Sequence, residues 1–531
     1  MANFHSRAAL VVIPSVLIIL ALLSVRSLGG FDSDPEYAYL LNSLMILKFQ
    51  LPYYFWHPGT TLHVLGAGVI APVWLARWPS QQLGLQLDVL QHPEFYLSCI
   101  NAVLAVAIGG ACFVLGWRLR IASKSLAIGV IGQALALTSY PALSALSRVS
   151  PEPLLLCLSM LLVAILAPRI IAPEPQMESR PVALLAGATV AACVATKLTA
   201  IPLALMLLLF ETRGMRIISA IAAFMTFLIL TLTVAPHYHG MLAWLENMIL
   251  RKGFYGGGEV GLPSIANIAY GFGLIATAVP ELIVTLAGCL VMLLCAPRKR
   301  VFVICATIIA VQIAVVAKLP LASYLAAATA TSDTGWPVRY LLPATAAVMM
   351  AVIVAVHQLM GGSSFRRMTA LSIFSVVVGI GVLRNMETNT QELRIHSIAR
   401  KENRAILAQL ASKGCTIVPS YNAIESTKYK LAFGNWWAGG AFDAALAAMY
   451  PDFVWFKYSF ETYDTPLDAI QARSRLAREK CVYLVGSPFR EPYDNIIPGV
   501  GVLTTVAVTG RDLGYGYSLG VYQLDVFKDS N

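Results

Sequence analysis

"AALVVIPSVLIILALLSVRSLGGFDSDPEY", residues 8–37, opens with 21 residues in which Arg26 is the sole charge and ends on three carboxylates. An apolar run of that length is enough for a helix to cross the hydrocarbon core of a bilayer. It lacks a small-residue cleavage site and Arg26 interrupts its end, so Ala8–Leu28 is expected to be a retained helix and not a signal peptide. Asp32, Asp34 and Glu36 then stand where the first helix leaves the membrane. Outward from this stretch, apolar runs of similar length recur as far as about Arg384. The chain of 531 residues is 58% hydrophobic and 12% charged, with a mean hydropathy of +0.70, which excludes an ordinary soluble protein. A polytopic α-helical membrane protein is expected, with membrane lipids as its surroundings. The net charge of +10 calls for no nucleic acid, because cytoplasmic loops are rich in Lys and Arg.

Basic clusters orient the chain: Arg118, Arg120 and Lys124; Arg213 and Arg216; Arg298, Lys299 and Arg300; Arg366 and Arg367. These loops are expected inside, with Arg7, while the longer opposite loops carry most of the acids. An even number of spans must then separate Arg7 from Arg118. Of the three candidates, Thr60–Trp78 is the weakest, being short and containing Gly66, Gly68, Pro72 and His63. It is expected to lie in or dip into the outer leaflet, which leaves 29–94 as one large external loop. Further spans are expected over 125–145, 153–169, 182–196, 199–210, 217–236, 275–296, 301–319, 339–358 and 368–384. The total is about eleven. Residues 1–384 thus form a transmembrane region, and 385–531 an external tail with no spanning segment.

The tail has the pattern of an α/β unit. Helical periodicity over 388–412 and 465–479 precedes the β-rich runs "CTIVPSY" (415–421) and "CVYLVGS" (481–487). "GVLTTVAV" (501–508) and "SLGVYQLDVF" (518–527) are expected as closing strands. Cys415 and Cys481 are the two cysteines of this tail. An external compartment permits a disulfide between them, although adjacent parallel strands constrain its geometry. There is no GxGxxG, no Walker A, no zinc-type Cys/His spacing and no internal repeat.

The polar residues in otherwise apolar surroundings carry the chemistry. In "DSDPEY", Asp34 suits a helix N-cap, with Pro35 at the first helical position and Glu36 in the first turn. A capping start can also point an acid into a site. Arg148 and Glu152 flank Pro151 at the mouth of two spans, a place where charges are more often functional than decorative. Lys197 lies in an apolar hairpin, "VATKLTAIP" (194–202), and is hard to explain structurally. His57 could be an interfacial turn residue before Pro58, and Arg339 a snorkelling anchor beside Tyr340. His237 and His239 sit at a span exit and do not by themselves make a metal site. Tyr255 and Glu259 belong to the Gly-rich loop "RKGFYGGGEVGLP" (251–263), whose chemistry is expected to be mobility on substrate binding. All of these fall on the side of Asp34.

Taken in order, these motifs resemble those of the GT-C glycosyltransferases, and within them the protein O-mannosyltransferase and aminoarabinose-transferase group. The matching features are the acids 32–36 after the first helix, His57-Pro58, Arg148 with Glu152, Thr196-Lys197, and Arg339-Tyr340 followed by Pro343. They cover about 30–345, and each is short. Where that group has an Asp-Glu pair, this chain has Asp34-Pro35-Glu36 with Asp32 upstream, and His57-Pro58-Gly59 replaces a Pro-Pro. The resemblance implies transfer of a sugar from a polyprenyl-phosphate donor to a glycan, lipid or protein acceptor on the external face, with inversion. Such a reaction needs a carboxylate to take the acceptor proton. Asp34 is the first candidate, then Asp32 and Glu36. Lys197 and Arg339 are candidates for the donor phosphate; Arg148 could do the same or hold Glu152. His57, Tyr340, His237, Tyr255 and Glu259 complete the expected binding set. No cofactor is implied, and a divalent metal is not favoured, because no nucleotide sugar is expected on that face. The expected location is a bacterial inner membrane, with site and tail facing the periplasm. A membrane polysaccharide polymerase or ligase, or a secondary transporter, is the rival reading. The first usually has Arg-rich external loops, and the second has charges near the midplane and related halves.

Overall fold

The computed structural model describes residues 2–28, 31, 33–56, 59–146, 148–171, 179–251, 259–261, 264–295, 299–318, 339–360, 378–387, 390, 394, 397–398, 401–402, 404–410, 412–419, 427–450, 477–479, 481–486, 496–497, 501–509 and 519–526. The first helix, α1 (Ala2–Leu28), is followed by a five-residue π-helical turn, Ser33–Tyr37, that runs directly into α2 (Ala38–Leu47). Asp34 is therefore inside the turn and not at its N-cap; the helical turn begins at Ser33, two residues earlier than the capping pattern suggests. Helices α3 (Thr60–Gln81) and α4 (Leu85–Gln91) complete the first loop. Gly59 has φ +57°, a left-handed conformation that suits glycine and lets the chain turn abruptly into α3.

The bundle follows: α5 (Pro93–Ser123), α6 (Leu126–Ala134), the short α7 (Tyr140–Ala145), α8 (Pro151–Ile171) and α9 (Arg180–Thr196). A 3₁₀ helix, Leu198–Leu209, leads to α10 (Arg213–Leu230) and α11 (Tyr238–Leu250). Then come α12 (Ile265–Ala278), α13 (Pro280–Cys295), α14 (Lys299–Lys318) and α15 (Ala344–Met360). The starts and stops have local causes. Helices α5 and α8 each begin with Pro, carry Glu in the first turn and Arg in the last, which matches both the missing N–H of proline and the helix dipole.

Four helices among the described residues are long and apolar enough to cross a membrane: α5, α8, α10 and α14. They become five if α12 and α13, which meet at a 98° bend, form one broken span. The expected count of about eleven is not reached by this measure. Ala8–Ser24, Leu126–Leu137, Arg180–Thr196, Leu198–Leu209 and Ala344–Met360 are apolar but only 10–17 residues long. Breaks such as Lys197 cut the apolar sequence into pieces shorter than the hydrocarbon core is thick.

Two cores result. The larger holds the bundle, where α5 packs against α1, α6 and α8, and α14 against α13 and α15. The second joins the first loop to the tail: Tyr37, Tyr39, Leu41, Leu90 and Tyr96 bury themselves with Leu431, Ala438, Phe442 and Leu446. Those last four come from α16 (Thr427–Trp436), α17 (Asp443–Met449) and the turn between them. The tail also contains a five-stranded sheet in the order β1-β2-β5-β4-β3. Its strands are β1 (Thr416–Pro419), β2 (Val482–Gly486), β3 (Ile496–Ile497), β4 (Gly501–Thr509) and β5 (Leu519–Val526). The pair β1–β2 is parallel and the other three pairs are antiparallel. A disulfide joins Cys415 to Cys481 just before β1 and β2, at a Cα separation of 4.9 Å. The expected helix over 465–479 lies almost wholly outside the described residues.

Candidate functional site

Three elements that are apolar along most of their length meet at one end, and each brings a charge there. Glu152 comes from the first turn of α8, Lys197 from the residue after α9, and Arg339 and Tyr340 from the short 3₁₀ turn Arg339–Leu341 ahead of α15. Lys197 takes an extended conformation between α9 and the 3₁₀ helix, which turns its side chain out of both helical ladders. Its ammonium donates to Glu152 Oε1, and both side chains are buried, at 3% and 4% exposure. The Arg339 guanidinium lies 3.9 Å from the same oxygen. Lys197 Nζ also sits over the Tyr340 ring, 3.8 Å from its centroid, with Arg339 at 5.4 Å. Two cations thus share one carboxylate oxygen and one aromatic face. An anionic ligand of suitable size can bridge them, since guanidinium and ammonium both donate readily to phosphate oxygens.

The first loop closes over this group. Tyr39, two residues after the carboxylate turn, is fully buried and within electrostatic reach of Glu152 and Arg339. Burial above all, then Tyr54 and the Glu152 carboxylate, pushes its phenol well above the ordinary value, so it stays protonated and can donate. Thr61, in the first turn of α3, shares a 2.7 Å hydroxyl–hydroxyl hydrogen bond with Thr196, the neighbour of Lys197. His63, one turn into the same helix, packs its ring on Tyr39 at 5.1 Å. Neither of its nitrogens has a hydrogen-bond partner among the described residues, and burial pushes the imidazole down to about 3. His237 stacks flat on Phe55, 4.6 Å between centroids, and Phe55 packs against Leu198, next to Lys197.

The structure therefore brings Glu152, Lys197, Arg339 and Tyr340 together and places His237 nearby. Glu36 is buried in the carboxylate turn, with Asp34 two residues before it in the same turn. Arg148 is half-buried, and the partner that holds Glu152 is Lys197. Glu259 is exposed, beside the isolated bridge between Arg251 and Val260. Asp32, His57 and Tyr255 lie outside the described residues. No group of three or more metal-type side chains occurs among the described residues. Tyr39, Asn42 and Lys430 escaped the sequence reading. For Tyr39 a signal existed in the alternation Tyr37-x-Tyr39 directly after the acids; nothing local marks Lys430, which lies 336 residues from its partner Glu94.

No protein-family model matches the chain, and no curated protein matches it. Among solved structures it is similar to ArnT from Cupriavidus metallidurans bound to undecaprenyl phosphate, at a TM-score of 0.47 and 12% identity over 97% of each chain. It is also similar to ArnT from the same organism in the apo state, at a TM-score of 0.42 and 12% identity, again over 97% of each chain.

Proposed function

We propose that this chain is a GT-C type glycosyltransferase that moves a sugar from a polyprenyl-phosphate donor to an acceptor, with inversion, on the external face of the membrane. The single observation that carries the proposal is the buried meeting of Lys197, Arg339 and Tyr340 around Glu152, within electrostatic reach of Tyr39, two residues after the turn that bears Asp34 and Glu36. A lipid phosphate needs cations at the membrane boundary and an apolar body below them, and the reading is supported by two cations at one end of apolar helices. Lys197 and Arg339 would hold the donor phosphate and take up the charge that grows on it as the sugar leaves. Glu152 keeps the two cations oriented while that site is empty. Tyr39 would supply a neutral O–H donor from the loop side. Asp34 would accept the proton of the attacking acceptor hydroxyl, opposite the departing phosphate, with Asp32 and Glu36 as the alternatives. The lipid's apolar tail would run along the bundle surface.

The test uses the purified full chain in lipid nanodiscs with a polyprenyl-phosphate sugar and a candidate acceptor. Wild type should release polyprenyl phosphate and form a new glycosidic bond. Asp34→Asn preserves shape and should lower turnover by roughly 10²–10⁴-fold with donor affinity unchanged. Asp32→Asn and Glu36→Gln belong in the same assay. A dead Asp32→Asn beside a fully active Asp34→Asn moves the base two residues upstream, and full activity in all three removes the mechanism. Passage of the donor across the membrane with its linkage intact would instead mark a transporter.

A further inference from the structure

The tail reaches the carboxylate turn directly. Lys430 of α16 is 4% exposed; its ammonium donates to the Phe31 carbonyl and pairs with Glu94 Oε1 at 3.3 Å. Glu94 in turn accepts from the Phe31 N–H at 3.1 Å and from the Tyr37 hydroxyl at 2.8 Å. On the other side of the turn, the fully buried Asn42 is saturated. Its Nδ2 donates to the carbonyls of Ala38 at 2.8 Å and Trp437 at 3.0 Å, and its Oδ1 accepts from the N–H groups of Tyr53 and Tyr54 at 2.8 and 3.0 Å. Between these two fastenings Gly434 lies against the Tyr37 backbone. A Cβ at position 434 would stand 2.6 Å from the Tyr37 carbonyl oxygen, closer than such atoms approach. The Trp437 ring meets Tyr54 at 4.8 Å, and Tyr54 meets Tyr39 at 5.3 Å, so the tail also backs the aromatic layer over Glu152 and Arg339.

A buried ammonium and a buried carboxamide are poor choices for stability alone, because apolar residues of similar size would fill the same space at lower desolvation cost. Fully satisfied polar networks of this kind fix one geometry. We infer that tail helix α16 is the positioning element of the catalytic turn, with Lys430, Asn42 and Gly434 as positioning residues that set the 33–37 backbone relative to Lys197 and Arg339. The inference rests on the glycosyltransferase reading for its catalytic consequence and on these contacts for its structural one. General bases tolerate little displacement: about 1 Å can cost on the order of 10²-fold in rate.

The experiment compares wild type, Gly434→Ala, Lys430→Met and Lys430→Arg as full chains in nanodiscs. Two readouts are taken: kcat and KM for the polyprenyl-phosphate sugar, and amide hydrogen exchange over 33–41 and over 152–165. Gly434→Ala and Lys430→Met should each lower kcat by about 10- to 100-fold with KM for the donor within about threefold, since the phosphate cations are untouched. Exchange should quicken over 33–41 and stay unchanged over 152–165, and Lys430→Arg should keep most of the activity. Wild-type kcat in both disruptive variants overturns the inference. So does unchanged exchange over 33–41, or a loss that appears in KM alone. If one variant fails to fold, the other decides. If wild type transfers no sugar, the functional reading fails, and the exchange data still decide whether the tail holds the turn.

Discussion

Lys197 shows what a single buried charge contributes here. Removing one partner of a buried ion pair leaves the other uncompensated and typically costs about 3–5 kcal/mol. Lys197→Met should therefore lower the apparent melting temperature more than the double variant Lys197→Met/Glu152→Gln, and should raise KM for the lipid-phosphate donor at least about tenfold, by roughly 1.4 kcal/mol or more. Additive effects of the two changes on melting would mean that the pair is not coupled. His63 gives a second prediction at this scale. Its folded pKa lies near 3, below the ordinary 6.5, so below pH 6.5 the unfolded chain binds a proton that the folded chain refuses. Its contribution is complete above pH 6.5 and is lost as pH falls toward 3, at up to ~1.4 kcal/mol per unit. Melting of wild type between pH 7.5 and 5 should fall more steeply than that of His63→Phe, which keeps a ring against Tyr39; equal slopes would place water at His63. The sequence offered the residue types of this site and not their partners. Arg148 is Glu152's neighbour in the chain, yet Lys197, 45 residues on, is the residue that holds the carboxylate. Pairings of that range are set by helix packing, which no local pattern encodes.

Elements differed in how far they could be read. The four β-rich runs of the tail coincide with β1, β2, β4 and β5, because alternation and β-branched content are local signals. Span counting was less legible. Hydropathy registers an apolar run whether the helix in it is straight, bent or interrupted, and here Pro14 sits inside α1 and a 3₁₀ helix of 12 residues follows Lys197. Helix packing in the bundle uses small residues in place of bulk: Gly187 of α9 lies directly against the Ser219 carbonyl of α10, with Ala222 alongside. The α3 helix poses the sharpest topological question. It has 22 residues, with Pro72 and Pro79 inside it, and it is not among the helices apolar enough to cross. Its far end at Gln82 should then face outside. A cysteine placed there, in a background without other accessible cysteines, should react in intact cells with an impermeant thiol reagent. Labelling only after lysis would make α3 a true span and reverse every element that follows it.

At the scale of the whole molecule, tail helices α16 and α17 and the first loop pack as one unit. They share a core, and the fastenings at Lys430 and Asn42 span 399 and 395 residues of sequence. Whichever side of the membrane holds the tail must therefore also hold the carboxylate turn. The redox state of the Cys415–Cys481 pair in cells tests which side that is. Disulfides persist in oxidising compartments and are rare in a reducing cytosol, so a tail on the external face, as proposed, should keep Cys415–Cys481 oxidised in the cell. Closing a 66-residue separation removes enough freedom from the unfolded chain to be worth about 4 kcal/mol in the chain-entropy account. Its loss should loosen the sheet, whose parallel pair β1–β2 begins at the bond, more than the helical bundle. Intact cells treated with a membrane-impermeant reductant and then with an impermeant alkylating agent should gain two labels in the tail. Cys415→Ser/Cys481→Ser should gain none, and its tail should be cleaved faster by added protease while α5 and α8 remain protected. Two free tail thiols in untreated, intact cells, unreactive until lysis, would put the tail inside. The carboxylate turn would go with it, and a transferase working on the external face would have no base.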